Sequence, residues 1–175
     1  MRYFELRQGQ HVRNPIKLQW AQKNLYKYNP TKEEFDAFPR TKVGYYDYSD
    51  KVEIPDVLER DTLFVGQEVK HVLSMYDETI EFKGTQIYPF GMVENVVPSY
   101  WTFYPKEVSC LHASVKVLPN GELEELILDS KKIPQADVFK VSGISVYRVI
   151  VTLPVAESLL RRKPFGISLR EVKVI

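Results

Sequence analysis

Cysteine, net charge and long apolar runs are all scarce in this chain, and each scarcity argues against a class of protein. The one cysteine, Cys110, cannot form an internal disulfide, which is typical of a reducing compartment. The net charge of +1 argues against a dedicated nucleic-acid binder, because such proteins carry a strong basic excess. No run approaches the roughly 18 to 20 apolar residues that a membrane-spanning helix needs, and charges interrupt residues 1–7, which excludes a signal peptide. We therefore expect a soluble, cytoplasmic protein without membrane association.

Glycine is also scarce, and the motifs that bind phosphates or metals or that activate nucleophiles are absent. The 8 glycines form neither Gly-x-x-x-x-Gly-Lys nor Gly-x-Gly-x-x-Gly, the loops that cradle phosphates. His-Glu-x-x-His, Cys-x-x-Cys and the nucleophile elbow are missing as well. Cys110 and His112 would share one face of a strand, but a nucleophile and its base normally come from distant parts of a chain. The sequence therefore predicts no catalytic residues, no metal site and no cofactor.

The residues that are present predict one globular domain. Hydrophobic residues make up 44% of the 175 residues and charged residues 27%, which is typical of globular proteins. A chain of this length buries enough surface to form a core without a disulfide or a metal. We expect a single domain over residues 1–175, with a less regular N-terminal segment over residues 1–50 and a core over residues 54–175.

Two segments share the same predicted order of strand, helix and strand. Residues 146–151 are an apolar, β-branched run, a short helix follows, and alternating apolar residues resume at 167. Residues 63–88 have a similar pattern, with a single apolar stripe along the helix. The apolar positions of the first unit recur in the second. Either the fold contains a pseudo-repeat, or two ordinary pieces of structure resemble each other by chance.

Shorter signals complete the prediction of the fold class. Thr31 and Glu34 have the spacing of a capping box at the start of a helical turn. Residues 100–104 alternate aromatic side chains, as in a core strand. Residues 114–128 contain a Pro-Asn-Gly turn sequence and read as a β-hairpin. The predicted class is α+β, with a mainly antiparallel sheet, two short helices and, if the two units are related, a strand–helix–strand pseudo-repeat.

An acidic tyrosine cluster is the candidate for a binding surface. Tyrosine buries a large area with few rotatable bonds and keeps a polar tip, so it is favoured at protein interfaces. Carboxylates in the cluster would repel nucleic-acid phosphates, so a protein is the expected partner. Ordinary packing within a sheet is the alternative. The candidate partner-binding residues are Tyr45, Tyr46, Asp47, Tyr48 and Asp50.

One block of the sequence resembles a known family. Residues 126–143 read Leu-Ile-Leu-Asp-Ser-Lys-Lys-Ile-Pro-Gln-Ala-Asp-Val-Phe-Lys-Val-Ser-Gly. This segment resembles a block of a bacterial family of polymorphic-toxin immunity proteins, first described as a domain of unknown function. In that family an Ile-Pro, a short polar gap and a Phe precede a strand. Residues 149–174 resemble the family's ending and residues 63–80 its middle, so the resemblance covers about residues 54–175.

The resemblance implies inhibition by binding. A bacterium that makes a toxin keeps such a protein beside it, where it covers or distorts the active site of the toxin. The family has no catalytic residues, so a cognate toxin protein is the implied partner and no catalysis is expected. Two other functions stay open. One is a small enzyme whose site is assembled from dispersed residues, including His71 or His112; the other is a nucleic-acid-binding regulatory module that uses the basic first thirty residues.

Overall fold

The fold is α+β, as the sequence predicts, in a computed structural model that describes residues 1–20, 29–60, 62–91 and 97–175. The described strands form two curled six-stranded sheets. The strands are β1 (Tyr3–Gln8), β2 (Gln19–Trp20), β3 (Thr41–Tyr46), β4 (Val57–Glu59), β5 (Leu63–Val65), β6 (Glu81–Pro89), β7 (Ser99–Tyr104), β8 (Lys106–Val108), β9 (Ile127–Leu128), β10 (Val138–Val141), β11 (Val149–Thr152) and β12 (Ile167–Val174). The helices of the described residues are α1 (Lys32–Ala37), α2 (Gln67–Tyr76) and α3 (Leu153–Arg161).

Most neighbouring strands are antiparallel, again as predicted. The first sheet has the strand order β8-β10-β11-β1-β12-β9, and the second has the order β2-β3-β6-β7-β5-β4. Parallel pairing occurs between β8 and β10, between β9 and β12, and between β3 and β6. The pairing of β3 with β6 matters for the candidate site, because it brings together two segments that are distant in sequence.

The two strand–helix–strand units have the same topology, which supports the predicted pseudo-repeat. The first unit is β5, α2 and β6, and the second is β11, α3 and β12. In each unit the two strands flank a third strand that is antiparallel to both: β7 in the first unit and β1 in the second. Helices α2 and α3 pack against each other, and the Tyr76 hydroxyl donates a hydrogen bond to the carbonyl of Pro154 at 3.0 Å.

A shared core cluster joins both sheets to α2 and α3. Helix α2 buries Val69, Val72 and Leu73, which have the i, i+3, i+4 spacing of one helix face. Residues from the two sheets pack into the same cluster, among them Leu6 and Phe103. Burial of this stripe, rather than helix propensity, supplies most of the stability of such short helices. No helix among the described residues has both the length and the apolar character to cross a membrane.

Other segments cover the opposite faces of the sheets. Residues of the 108–144 region pack on the first sheet, and residues of the 16–20 and 52–54 regions pack on the second. The N-terminal segment also contains α1, whose predicted capping box is confirmed. The Glu34 N–H donates to the Thr31 hydroxyl at 3.2 Å, and the Thr31 N–H donates to the Glu34 carboxylate at 3.0 Å. Phe35 of α1 then packs against the ring of Tyr104.

The predicted hairpin over residues 114–128 forms its turn but not its strands. The Leu118 N–H donates to the Glu122 carbonyl at 2.8 Å, and one bridge joins Val117 to Leu123. Val117 and Leu118 remain exposed, so the part of the first arm next to the turn is not packed on the core. The second arm ends in β9, which is buried beside β12 in parallel pairing. Burial against the sheet therefore overrides the local hairpin pattern.

Hydrogen bonds join the loop between α3 and β12 to two other segments, one that follows β1 and one that precedes β4. The Gly9 N–H donates to the Gly166 carbonyl at 2.7 Å, and the Asp56 N–H donates to the Phe165 carbonyl at 2.6 Å. The Phe165 N–H donates in return to the Asp56 carboxylate at 2.6 Å. Gly166 has a φ of 75°, and a β-carbon there would lie 2.3 Å from the β-carbon of Pro55. This junction between the sheets has no room for a side chain.

Candidate protein-binding surface

Apolar and aromatic side chains of β3, of β6 and of the residue after β6 form one exposed patch, which we call the aromatic surface: Val43, Tyr45, Tyr88 and Phe90. Side chains of β3 alternate, so that Val43 and Tyr45 point away from the face that buries Tyr46. The parallel register sets Tyr45 opposite Tyr88. The Tyr45 ring stacks on Phe90 with 5.1 Å between ring centres and lies 6.5 Å from the ring of Tyr88.

Among the described residues, none covers the aromatic surface, because α2 lies over a different part of the same sheet. The Lys70 ammonium of α2 lies 4.6 Å from the ring centre of Trp101 in β7, which places the helix over the β5–β7 side. Tyr88 and Phe90 are 37% and 46% exposed. The Tyr88 hydroxyl donates to the Gln86 side chain at 2.9 Å, which fixes the direction of the ring. Exposed aromatic groups of this kind are typical of protein interfaces.

The structure separates the five predicted binding residues. Tyr45 lies on the aromatic surface, but Tyr46 is only 1% exposed and belongs to a core cluster with Ile16 and Phe64. The cause is the two-residue period of a strand, which sends neighbouring side chains to opposite faces. Tyr46 therefore cannot serve as a surface anchor, and its burial raises the pKa of its hydroxyl. Alanine at this position would damage the fold rather than an interface.

The other three predicted residues lie in the loop that follows β3. Asp47 accepts a hydrogen bond from the Gln19 side chain at 3.1 Å. The Tyr48 hydroxyl donates to Asp50 at 3.4 Å, and the Tyr48 ring meets the ring of Tyr46 edge-on. Asp47, Tyr48 and Asp50 are exposed. They form an acidic rim beside the C-terminal end of β3, where Tyr45 lies.

Sequence reasoning missed Val43, Tyr88 and Phe90. Tyr88 belongs to a clear alternation in β6, where Thr85 and Ile87 are buried and residues 86 and 88 are exposed. That pattern marks the outer face of β6, but only the parallel pairing shows that Tyr45 lies beside it. No local signal in the sequence predicts such a pairing.

A buried lysine lies beside a separate open pocket of about 390 Å³, whose lining includes Asn29 and Glu107. The Lys140 ammonium donates to the Pro30 carbonyl at 2.9 Å and to the Tyr104 hydroxyl at 3.3 Å, and it lies 3.4 Å from the Glu107 carboxylate. Burial lowers the pKa of Lys140, and the nearby Glu107 charge opposes that shift. The Tyr104 hydroxyl also donates to Glu107. These contacts enclose the ammonium and tie the segment before α1 to β10.

The histidine and cysteine candidates are dispersed over the molecule. His71 is exposed on α2, whereas His112 lies beyond β8 with its Nδ1 2.8 Å from the Ser114 hydroxyl. Cys110 is buried in the core on the outer face of the first sheet. In the described part of the chain, no three His, Cys, Asp or Glu side chains are grouped in a way that could hold a metal ion.

Cys110 is expected to resist thiol reagents in the native protein. Burial raises the pKa of the thiol from 9.0 to about 11, so at pH 8 the thiolate fraction falls by about 100-fold relative to an unshifted thiol. Labelling with a disulfide reagent should proceed at least about 100-fold more slowly in buffer than in denaturing urea. A native labelling rate equal to the rate in urea would contradict the buried position of Cys110.

Comparison with known proteins provides no named relative. No family model matches the chain, and no curated protein matches it. The aromatic surface and the resemblance to immunity proteins are therefore the features of the chain that bear on its function.

Proposed function

We propose that this chain is an immunity protein that binds and neutralises a protein toxin, with the aromatic surface at the centre of the interface. The observation that carries the proposal is the contiguous aromatic group in which Tyr45 stacks on Phe90 and lies beside Tyr88 on one sheet face. Single exposed apolar residues are common on soluble proteins, but contiguous exposed groups mark interaction sites. Aromatic residues also supply a large share of binding energy at protein interfaces.

The rigidity of the aromatic surface favours tight binding. Two neighbouring strands hold its backbone, and stacking holds its rings, so few rotatable bonds are newly fixed when a partner binds. The acidic rim formed by Asp47 and Asp50 adds a charge preference. Such a rim favours a partner with basic residues around an apolar centre, because complementary charges speed the encounter and fix the orientation.

The resemblance to immunity proteins supports a toxin as the partner. It covers residues 54–175, which include Tyr88 and Phe90, whereas Val43 and Tyr45 belong to the segment before it. The aromatic surface is therefore built half from the family-like core and half from the N-terminal segment. In such an arrangement the N-terminal segment determines which toxin is bound, and the core provides the scaffold.

Co-expression with the product of the neighbouring gene tests the proposal. We expect this chain to restore growth of cells that make that product and to co-purify with it as a stable complex. Interfaces of this class bury about 1,600 Å² in total, so the complex should survive size-exclusion chromatography. A toxic neighbouring product that is neither bound nor neutralised by the folded chain would overturn the proposal.

The triple replacement Tyr45→Ala, Tyr88→Ala and Phe90→Ala tests the surface itself. We expect toxin affinity to fall by at least about 100-fold, because the variant removes the proposed aromatic anchors. The melting temperature should change only modestly, since Tyr88 and Phe90 are exposed and Tyr45 is half-buried. The matched control is Met75→Ala with Leu160→Ala, two equally exposed apolar side chains on α2 and α3. Equal losses of affinity in both variants, or none in the first, would exclude the aromatic surface as the interface.

A further inference from the structure

A row of alternating charges crosses the outer face of the first sheet. Glu5 of β1 lies directly opposite Arg170 of β12 in the antiparallel register. Arg148, immediately before β11, projects from the same face as Glu5, and its Nη1 donates to the Glu5 carboxylate at 2.6 Å. Residues 123–126 lie beside this row. Together they enclose a cleft of about 150 Å³, which we call the two-arginine cleft.

On the sheet face of the two-arginine cleft, the guanidinium groups outnumber the carboxylates. Glu5 is 3% exposed and supplies one carboxylate for two guanidinium groups. The Nε of Arg148 is buried, and no acceptor from the described residues reaches it. The Arg170 side chain makes no hydrogen bond or ion pair with any part of the chain that the structure describes. Native proteins rarely leave buried donors unsatisfied, and a planar guanidinium matches a carboxylate in charge and geometry.

The rim of the cleft is mainly acidic. Glu124 and Glu125 line it from the covering segment, and Glu171 and Lys173 line it from β12. Glu171 is already paired with Arg2 through contacts of 2.7 and 2.8 Å, and Glu124 lies 3.9 Å from Lys116. This rim disfavours ligands with several negative charges. It favours a ligand whose positive group lies just outside its carboxylate.

We propose that the two-arginine cleft binds a small zwitterion, namely a free α-amino acid. The carboxylate of the ligand lies between Arg148 and Arg170, and its ammonium faces Glu124 and Glu125. The cleft volume is several times the roughly 30 Å³ that one water occupies in the liquid, which suits a small amino acid. Because Arg170 is exposed, we expect a dissociation constant on the order of 0.1–1 mM.

Titration of the full ¹⁵N-labelled chain with glycine tests this site. We expect the signals of Arg148, of Arg170 and of residues 123–126 to shift in a saturable way. Acetate, which has the carboxylate alone, should bind at least about five-fold more weakly, and methylammonium should not saturate. The absence of shifts up to about 50 mM glycine would overturn the proposal. Equal binding of glycine and acetate would mean that the cleft takes an adventitious ion only.

Arg170→Gln is the variant of choice, because Arg170 has no partner in the described structure whose loss would unfold the chain. We expect it to weaken glycine binding by at least about ten-fold. Arg161→Gln, which removes an exposed arginine of α3, is the matched control and should leave binding unchanged. Equal glycine affinity in the Arg170→Gln variant and the unmodified chain would overturn the assignment of Arg170. The test requires no toxin, so its result is independent of the proposed immunity function.

Discussion

Replacing Gly166 with alanine is expected to lower the free energy of unfolding by about 3 kcal/mol or more. The added β-carbon would lie 2.3 Å from the β-carbon of Pro55 and 2.9 Å from a methyl group of Val12. The backbone must shift to relieve these close contacts. Such a shift strains the hydrogen bonds that join Gly166 to Gly9 and Phe165 to Asp56. For a chain of this size the expected drop in melting temperature is about 6–12 °C.

Gly143→Ala is the matched control for this experiment. Gly143 has a φ of 80°, close to the 75° of Gly166, but no atom of the described residues lies within 4 Å of the β-carbon that alanine would add. It should cost only the conformational penalty of about 1 kcal/mol. Urea denaturation followed by tryptophan fluorescence measures both variants. Equal losses at the two positions would show that the contact with Pro55 does not matter.

Replacing Lys42 with methionine is expected to stabilise the protein at pH 6.5 by about 2–3 kcal/mol. Lys42 is 1% exposed, and its ammonium lies 3.9 Å from the ring centre of Phe38. Burial, together with the nearby charge of Lys83, lowers the pKa of Lys42 from 10.5 to about 7. Contact with the Phe38 ring offsets part of the cost of burying the charge. Methionine fills a similar volume without that cost.

The lowered pKa of Lys42 also makes the stability of the unmodified protein depend on pH. Below pH 7 Lys42 is protonated in both the folded and the unfolded state, so its burial penalty is present in full. Between about pH 7 and 10.5 the unfolded state binds more protons, so stability rises with pH. The lowered pKa values of Lys83 and Lys140 act in the same direction.

Urea denaturation at pH 6.5 and pH 9 measures this dependence. We expect the unmodified chain to gain about 2–3 kcal/mol between the two pH values, and the Lys42→Met variant to gain clearly less. Lys51→Met, at an exposed position, is the control. Its free energy of unfolding should rise with pH as steeply as that of the unmodified chain. A Lys42→Met variant that is less stable at pH 6.5, with an unchanged slope, would refute the burial penalty assigned to Lys42.

The elements with a strong local pattern were predictable from the sequence. The apolar stripe of α2, the capping box of α1 and the aromatic alternation of β7 each depend on residues close together in the chain, and all three are confirmed. The hairpin over residues 114–128 was wrong as a pair of strands, because Ile127 and Leu128 gain more by burial beside β12. Local turn chemistry does not reveal such competition.

The candidate site was predictable only in part. The tyrosine cluster indicated the right segment, and strand alternation explains why Tyr45 is at the surface and Tyr46 is not. The other half of the aromatic surface depends on a parallel pairing between β3 and β6, which is set by the packing of the whole sheet. The two-arginine cleft likewise depends on three strands from opposite ends of the sequence.

The position of β1 between β11 and β12 has a consequence for the order in which the chain folds. The first unit can be completed as soon as β7 is made, because β7 follows β6 in the sequence. The second unit must wait, since its central strand is synthesised first and its two flanking strands last. Pairing across such a sequence separation is slow, because the whole intervening chain must be closed into a loop. During synthesis, β1 therefore stays without its strand partners until residues 149–174 have left the ribosome.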